Sequence, residues 1–451
     1  MALGKRVTEH QPDLFITASL LPRTPGHVFY EKLNDLLSRH GFDHFAETCC
    51  IPFYKDGGRP GIPPGIYFRM LFIGYFEGID SQRGIAWRCA DSLALRSFLG
   101  LPLTETTPDH SSLTRIRQRL DAAVHEQMFG FVLGIAEQEG LLQGKTLGVD
   151  ATTLEANAAM KSIVRKDTGE DYKAYLTKLA QAEGIAEPRA EELQRFDRKR
   201  KDKSCSNQDW KSPVDEDAKI ARMKDGTTHL AYKAEHAVDL ESGLFVSARV
   251  LGADEAYSHT LPETLVDAQI NLVRAESEVE VEEAVADKGY HAVATLLVCQ
   301  ELGVRTYVPE KALPQRKKTG QPGRHRWHDV PYEYELAYRA NRRRQQSEKG
   351  KRLGRKRGEL VERSFAHLCE TGGMRRSWLR GLVEVGKRYL MAAAAFNLGT
   401  VLRKLFGMIK PRGLLGKAAA LSAAAQRLVT TLFHLCNSWP ANTTPKLRAV
   451  A

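Results

Sequence analysis

Two aspartates in this chain follow short apolar segments, a position from which a carboxylate can take part in chemistry. Asp150 closes 146-TLGVD-150 and Asp287 closes 283-EAVAD-287. Both segments are short, apolar and bounded by polar residues, which predicts buried β-strands. If the two strands are parallel neighbours, both carboxylates emerge at the same end of the sheet, where sites form in α/β folds.

A third acid is expected from a helix that packs across that end of the sheet. Residues 358–373 predict a helix in which Val361, Phe365 and Leu368 form an apolar stripe with i, i+4, i+7 spacing. Glu362 lies at the edge of this stripe, where its side chain can face the two aspartates. The sequence thus offers a set of three convergent carboxylates.

Three convergent carboxylates repel one another unless cations neutralise them. Oxygen ligands select Mg²⁺ or Mn²⁺ over zinc. Two such ions about 4 Å apart can activate a water or a 3′-OH and stabilise the leaving oxygen in phosphoryl transfer. The three acids therefore indicate a two-metal phosphoryl-transfer site.

Each acid also has an ordinary structural interpretation. Asp150 precedes two threonines and Asp287 precedes Lys288 and a glycine, so both fit turns. Glu362 fits an exposed helix acid with a partner four residues away. The order of two strand-end aspartates and a helix glutamate favours the site, although 55 acidic residues provide many other triplets.

The rest of the sequence predicts the elements that must carry these acids. Hydrophobic periodicity indicates helices over residues 25–135 and, from residue 144, the alternation of an α/β layer. The predicted elements are a strand at 146–153, a hairpin of strands 235–241 and 244–252 around 241-ESG-243, a helix at 259–273, a strand at 283–287, a helix at 292–303 and a strand at 304–310. Further helices are predicted at 359–373, 387–407 and 416–436.

The charge balance points to a polyanionic partner. The 451 residues include 66 Lys and Arg against 55 Asp and Glu, a formal net charge of +11. Polar blocks at about 155–230 and 311–357 are interpreted as inserted subdomains or mobile arms, since structureless loops of that length are uncommon in compact domains. The second block contains 342-RRR-344 and 351-KRLGRKR-357, which favours phosphate contact over a merely solvated surface.

The sequence gives little support for a membrane protein, a disulfide-stabilised protein or a structural zinc protein. No run of about 18 uncharged apolar residues is present, so a cytoplasmic protein without a membrane partner is expected. The seven cysteines are scattered and form no C-x-x-C pair. A disulfide framework or a structural zinc site is therefore not expected.

At the residues around the acids, the chain resembles bacterial insertion-sequence transposases of the DDE class, which have an RNase H-like catalytic core. An N-terminal stretch, residues 92–120, resembles the helical domain that often precedes this core. The resemblance spans roughly residues 25–400. It rests on GVDATTLEA (148–156), HLAYKAEHAVDLESG (229–243), VADKGYHA (285–292) and VERSFAHLCETGGMRRSWLRG (361–381).

This resemblance implies roles for the three acids. Asp150, Asp287 and Glu362 would be the catalytic residues and would bind two Mg²⁺ (or Mn²⁺) ions. The implied reaction is cleavage at the ends of an insertion sequence and strand transfer to target double-stranded DNA. Because two ends need two active sites, a homodimer on DNA is expected.

The resemblance also implies an architecture of the α/β class. The expected fold is an RNase H-like mixed sheet with flanking helices, interrupted by insertions. The expected domains are a helical N-terminal domain at 1–140 for end binding or dimerisation, the catalytic core at 141–410 with insertions at about 155–230 and 311–357, and a helical tail at 411–451.

The chain departs from the family pattern around the glutamate. Many relatives carry Tyr and Arg before it and Lys seven residues after it, where this chain has Arg355, Gly358 and Cys369. Glu359 is a rival third acid, although the VER segment favours Glu362. Candidate DNA contacts are Lys288, Trp327, Arg342, Arg343, Arg344, Arg355, Arg363, Arg375 and Arg376.

Several aromatic and basic candidates have a structural alternative. Trp327 could stack on a flipped DNA base, as an aromatic does in some relatives, or pack within its own subdomain. Its neighbours His325 and His328 lack a third ligand for a metal site. His229 and His236 are expected on the hairpin, in the core or supporting the site.

Two rival functions remain open at this stage. One is a related nuclease that cleaves DNA without joining strands. The other is a domesticated, non-catalytic DNA-binding protein. A cleavage-and-joining assay separates the first from a transposase, and substitution of Asp287 separates the second.

Overall fold

The computed structural model describes residues 25–55, 57, 61–200, 206–223, 225–311, 331–408 and 411. Trp327, His325, His328 and the helix predicted at 416–436 lie outside these residues. Within the described part of the chain, no helix has the length and apolar character needed to cross a membrane.

In the described residues before the first strand, the chain forms seven α-helices. They are α1 Pro25–Arg39, α2 Phe42–Cys50, α3 Pro64–Glu77, α4 Gln82–Asp91, α5 Leu93–Phe98, α6 His110–Arg119 and α7 Ala122–Gln138. Helix α3 has no polar face, and its aromatic side chains Tyr67, Phe68 and Phe72 are fully buried. Because such a helix must be surrounded by other elements, the remaining helices pack around it in one core.

The second half of the chain alternates strands and helices. The strands are β1 Thr146–Glu155, β2 Val164–Arg165, β3 Trp210–Lys211, β4 Lys219–Arg222, β5 Thr228–Asp239, β6 Phe245–Gly252, β7 Glu283–Ala286 and β8 Arg305–Tyr307. The helices are α8 Tyr172–Ala182, α9 Ala190–Lys199, α10 Tyr257–Arg274, α11 Val293–Glu301, α12 Tyr332–Gln346, α13 Glu348–Phe365 and α14 Leu382–Phe406. A π-helical turn, Ala366–Thr371, continues α13.

The main sheet has the mixed topology that the sequence predicts. Its strands follow the order β4-β5-β1-β7-β8, and β6 also pairs with β5. Strands β1, β7 and β8 are parallel, whereas β5 runs antiparallel to β1, β4 and β6. The predicted hairpin turns at Gly243, whose φ of 78° suits a glycine. The predicted α/β fold class, with flanking helices and an N-terminal helical region, is confirmed.

Strand β1 is longer than predicted, and this changes the position of Asp150. The parallel ladder with β7 ends at the pair Val149 and Ala286. The antiparallel ladder with β5 continues from there to Glu155. The prediction that Asp150 ends its strand is therefore wrong for β1 as a whole. Asp150 instead lies one residue beyond the parallel ladder, where β1 has a partner strand on one side only.

The two faces of the sheet are covered by different helices. On one face, Glu235 of β5 accepts hydrogen bonds from Thr260 and Thr264 of α10. On the other face, His236 of β5 contacts α13 and α14 through Ser364 and Tyr389. Since neighbouring residues of a strand point to opposite faces, this pair of contacts defines a three-layer arrangement.

The second polar block is helical over most of its described length. Residues 332–346 and 348–365 form the consecutive helices α12 and α13. Leu353 and Val361 of α13 are buried, whereas Arg355 between them is exposed and Lys356 and Arg357 are partly buried. The high density of charge concealed this amphipathic pattern in the sequence. The helix that carries Glu362 thus begins ten residues earlier than predicted.

Gly148 allows α13 to lie directly on β1. A Cβ atom at this position would come within 2.6 Å of Leu240 Cδ2, 3.0 Å of Val361 Cγ2 and 3.2 Å of Arg357 Cγ. We expect Gly148→Ala to lower the free energy of unfolding by about 1–3 kcal/mol, because the packed neighbours must shift. Urea denaturation measures this change.

Gly354→Ala is the matched control on the same helix. An added Cβ at Gly354 meets no atom within 4 Å, and alanine favours a helix interior over glycine by about 1 kcal/mol. The control is therefore expected to keep or raise stability. A Gly148→Ala protein as stable as wild type would contradict the close packing of α13 on β1.

Two buried histidines make stability depend on pH. His125 and His236 are 1% and 0% exposed. Burial lowers the pKa of His125 to about 4 and lowers the pKa of His236 well below its ordinary value. In the unfolded chain both titrate near pH 6.5, so below that pH the unfolded state binds more protons than the folded state. The free energy of unfolding must therefore fall as the pH falls from about 6.5 toward 4.

We expect each of these histidines to contribute on the order of 1 kcal/mol per pH unit to this loss. Urea denaturation at pH 7, 6 and 5 measures it. His125→Asn should flatten the dependence, whereas the exposed His44→Asn should leave it unchanged. Equal stability of the wild-type protein at pH 7 and pH 5 would contradict the burial of neutral histidines.

Candidate active site

The three acids singled out in the sequence line one pocket of about 470 Å³. Asp150 comes from the middle of β1, Asp287 directly follows β7, and Glu362 comes from α13. Tyr257 and Arg375 also line this pocket. The structure thus brings together the side chains of two parallel strands and of a helix across the end of their shared ladder.

Asp150 is partly buried and has two partners. Its Oδ1 accepts a hydrogen bond from Ala151 N at 2.8 Å, and its Oδ2 accepts one from Arg357 Nη1 at 2.9 Å. Burial raises the pKa of Asp150, and the charge of Asp287 raises it further, against the lowering effects of Arg357 and the Ala151 N–H. Sequence analysis placed Arg357 in a basic run without assigning it to the site.

Asp287 is both a turn former and a pocket residue. Its Oδ1 accepts a hydrogen bond from Gly289 N at 2.6 Å and so caps a short 3₁₀ turn, Lys288–Tyr290. Tyr290 is buried and donates to Glu235 at 2.9 Å. This anchor beneath the turn ties Asp287 to the core. The turn interpretation and the site interpretation are therefore compatible.

The two candidate glutamates of α13 lie in different surroundings. Glu362 lines the pocket. Glu359, which is exposed like Glu362, is not among the residues that line the pocket and accepts a hydrogen bond from Arg363 at 2.7 Å. The predicted apolar stripe beside Glu362 is buried, and the Phe365 ring stacks on His236 with 3.9 Å between centroids. The geometry favours Glu362 as the third acid.

The donor chemistry of the pocket fits a hard divalent cation, because all three candidate ligands are carboxylates. The side chains as placed do not close around an ion: among the described residues, no group of three His, Cys, Asp or Glu could hold a metal. One oxygen of Asp150 bonds to Arg357 instead. Asp150, Asp287 and Glu362 therefore offer suitable oxygens without forming a preassembled metal site.

Most predicted DNA-contact residues on α12 and α13 are accessible. Arg343 and Arg355 are exposed, as is Lys288 beside Asp287. Arg342 lies 3.3 Å from Glu310 and is half exposed. These side chains form a basic surface next to the pocket-bearing helix.

Arg344 has a structural role instead. It is half-buried, its Nε donates to the carbonyl oxygen of Thr306 at 3.0 Å, and its Nη2 donates to Thr306 Oγ1 at 3.4 Å. These bonds fasten α12 to β8. The prediction of a DNA contact at Arg344 is not supported, because its guanidinium faces the sheet edge.

A basic and aromatic segment follows the π-helical turn. Arg375 lines the pocket and pairs with Glu370, with Nε and Oε1 at 3.1 Å. Arg376 lies 3.7 Å from Glu155 and its guanidinium lies 5.0 Å from the centre of the Trp378 ring. Trp378 is 47% exposed. This tryptophan, within MRRSWLRG, was not singled out in the sequence, although two arginines and an aromatic side by side are typical of a nucleic-acid contact.

The same segment is bonded to the far end of β1. Glu155 N donates to Arg375 O at 3.0 Å, and Ser377 N donates to Glu155 O at 2.9 Å. The Trp378 indole N–H donates to Asp80 Oδ2 at 2.8 Å. Residues 375–378 thus extend from the acidic pocket along β1 to the N-terminal helical region.

Comparison with known protein families gives two matches. Residues 19–119 match a transposase domain (DUF772), and residues 314–402 match a transposase DDE domain. The second match includes Glu362, whereas Asp150 and Asp287 lie outside both matched ranges. No curated protein and no solved structure matches the chain.

Proposed function

We propose that this chain, two segments of which match transposase family models, cleaves the ends of an insertion sequence and joins them to target DNA. The observation that carries this proposal is that Asp150, Asp287 and Glu362 line one pocket. Three acids from separate elements seldom share a pocket without a cation to neutralise them.

Divalent metals are the cofactors that transposases of this family generally use. Asp150, Asp287 and Glu362 would hold two Mg²⁺ or Mn²⁺ ions in this chain. When bound, such ions activate the attacking oxygen and stabilise the leaving oxygen of a phosphodiester. The buried hydrogen bond from Tyr290 to Glu235 keeps Asp287 at the end of β7.

The DNA partner is proposed to run across the basic surface beside the pocket. Arg343 and Arg355 are exposed on α12 and α13, and Arg376 and Trp378 are exposed in the segment that follows α13. Arginines neutralise phosphates without reading sequence, and an exposed tryptophan offers a face for a base. This arrangement would present a phosphodiester of the bound strand to the acids.

A homodimer on DNA belongs to the same proposal. An insertion sequence has two ends, and the described residues of each chain contain the candidate acidic pocket. Two copies acting on two ends would place both cuts in one complex. The helical region before β1 is the part of the chain proposed to bind ends or the second copy.

A cleavage-and-joining assay tests the proposed function. Linear duplexes carrying the sequences that flank the coding region are incubated with the full chain, Mg²⁺ and a supercoiled target plasmid. The expected result is cleavage at defined ends followed by covalent insertion into the plasmid. Cleavage without insertion would indicate a nuclease, and DNA binding without cleavage would indicate a non-catalytic DNA-binding protein. Either result would overturn the proposal.

A further inference from the structure

We propose that Arg357 is a positioning residue that occupies Asp150 in the metal-free protein and releases it to a divalent cation. The inference deepens the proposed function and rests on it. Arg357 would hold the acidic pocket together without metal and would set how tightly the metal binds.

The contact is a direct and partly buried ion pair. Arg357 Nη1 lies 2.9 Å from Asp150 Oδ2, and the two side chains are 16% and 23% exposed. The stem of Arg357 passes over Gly148, where an added Cβ would lie 3.2 Å from its Cγ. The side chain is therefore placed by the packing of α13 on β1, and it reaches the acid from a fixed direction.

Arg357 reaches the pocket through Asp150 and differs in its partner from Arg375, the cation that lines the pocket. Arg375 lines the pocket and is engaged with Glu370. Arg357 is bonded to one of the three candidate ligands. Because a guanidinium stays protonated at every physiological pH, it acts as a permanent positive charge among carboxylates that would otherwise repel one another.

A metal ion and Arg357 cannot both remain close to Asp150 without cost. The backbone N–H of Ala151 occupies Oδ1 and the guanidinium occupies Oδ2. A divalent cation on either oxygen would lie beside a positive charge, and this repulsion is strong where water is partly excluded. Metal binding must therefore either displace Arg357 or lose affinity through repulsion between the two positive charges. The displaced guanidinium remains on α13, next to the position proposed for the DNA backbone.

The ion pair also fixes the helix that carries Glu362. Glu362 lies five residues after Arg357 on the same helix, so the bond to Asp150 fixes the helix relative to β1. The pocket is thus held in a form in which arginine supplies the neutralising charge. Metal entry would replace that charge with a larger one.

The test is metal affinity in full-length protein without DNA. Mn²⁺ binding is measured by calorimetry and by the electron paramagnetic resonance signal of free Mn²⁺, for wild type and for Arg357→Met. Methionine keeps an unbranched stem over Gly148 and removes the charge. We expect Arg357→Met to bind Mn²⁺ about tenfold more tightly, in keeping with a charge-assisted hydrogen bond. Arg357→Lys, which retains the charge, should stay closer to wild type.

Lys351→Met is the matched control. Lys351 is on the same helix, pairs with Glu348 at 2.7 Å and is exposed, so its removal changes the net charge equally. It should leave Mn²⁺ affinity within about twofold, since exposed pairs are screened by solvent. Equal or weaker Mn²⁺ binding by Arg357→Met would overturn the inference, because a purely structural arginine would not compete with metal.

Asp150→Asn in the Arg357→Met background separates this inference from the proposed function. Loss of Mn²⁺ binding in the double variant assigns the measured ion to the acidic pocket. If Mn²⁺ binding depends on Asp150 but ignores Arg357→Met, the role of Arg357 fails and the metal site stands. If no variant binds Mn²⁺, both fail. Arg357→Gln provides a second charge-free variant should the methionine protein fold poorly.

Discussion

Replacing Asp287 with Asn is expected to reduce Mg²⁺-dependent DNA cleavage on the order of a thousandfold, the effect of losing a carboxylate that would hold the metal ions stabilising the reacting phosphate. Asparagine has the size of aspartate and keeps an oxygen that can accept the hydrogen bond from Gly289 N, which is 2.6 Å long in the wild-type structure. The turn should therefore persist while the negative charge disappears. Rates of end cleavage and DNA affinity are measured side by side.

DNA affinity should change by less than about threefold in this variant, because the basic surface is untouched. Asp225→Asn is the matched control, since Asp225 also caps a turn through its Oδ1, with Thr227 N at 2.9 Å, but lies outside the pocket. It should cleave like wild type. Equal cleavage by Asp287→Asn and wild type would remove Asp287 from the mechanism while leaving the DNA-binding proposal intact.

The second large effect is expected from substitution of Glu362, with Glu359, three residues before it, as the comparison. Glu362→Gln should lose cleavage on the order of a thousandfold, because Glu362 is the glutamate of α13 that lines the pocket. Glu359→Gln should stay within about threefold of wild type. Its exposed pair with Arg363 contributes less than about 1 kcal/mol to stability, so the fold should not change.

The comparison is internally controlled, because both variants remove one charge from the same helix. Cleavage rates are measured in Mg²⁺ and in Mn²⁺, with urea denaturation to confirm equal folding. A loss confined to Glu359→Gln would transfer the role of third acid to Glu359. Full activity in both variants would contradict a carboxylate ligand from this helix.

The sequence predicted the part of the site that follows from strand order and helix periodicity. Two apolar runs ending in Asp150 and Asp287 indicated parallel neighbours, and the ladder between β1 and β7 is parallel. The stripe of Val361, Phe365 and Leu368 indicated which side of α13 is buried. Both inferences depend only on spacing along the chain, and sequence carries that information directly.

The sequence could not reveal Arg357, because its role depends on how α13 lies across β1. A basic residue in 351-KRLGRKR-357 is indistinguishable by type from its solvated neighbours. The decisive feature is Gly148, about two hundred residues away along the chain, whose missing side chain lets the helix approach. Likewise, the extension of β1 beyond Asp150 depends on pairing with β5 and with residues 375–377, and these partners are remote in sequence.

The double attachment of α13 to β1 has a mechanical consequence. Before Glu362, the helix is fixed to β1 at Gly148 and Arg357, and after it the chain returns to β1 at Glu155. Strand β1 and the segment from α13 to residue 377 are therefore joined at both ends, and this unit carries both Asp150 and Glu362. Asp287 is joined to this unit by the four residue pairs of the ladder between β1 and β7. The spacing between Asp150 and Glu362 is therefore set within one unit, whereas the spacing of either acid to Asp287 depends on that ladder and on the buried bond from Tyr290 to Glu235.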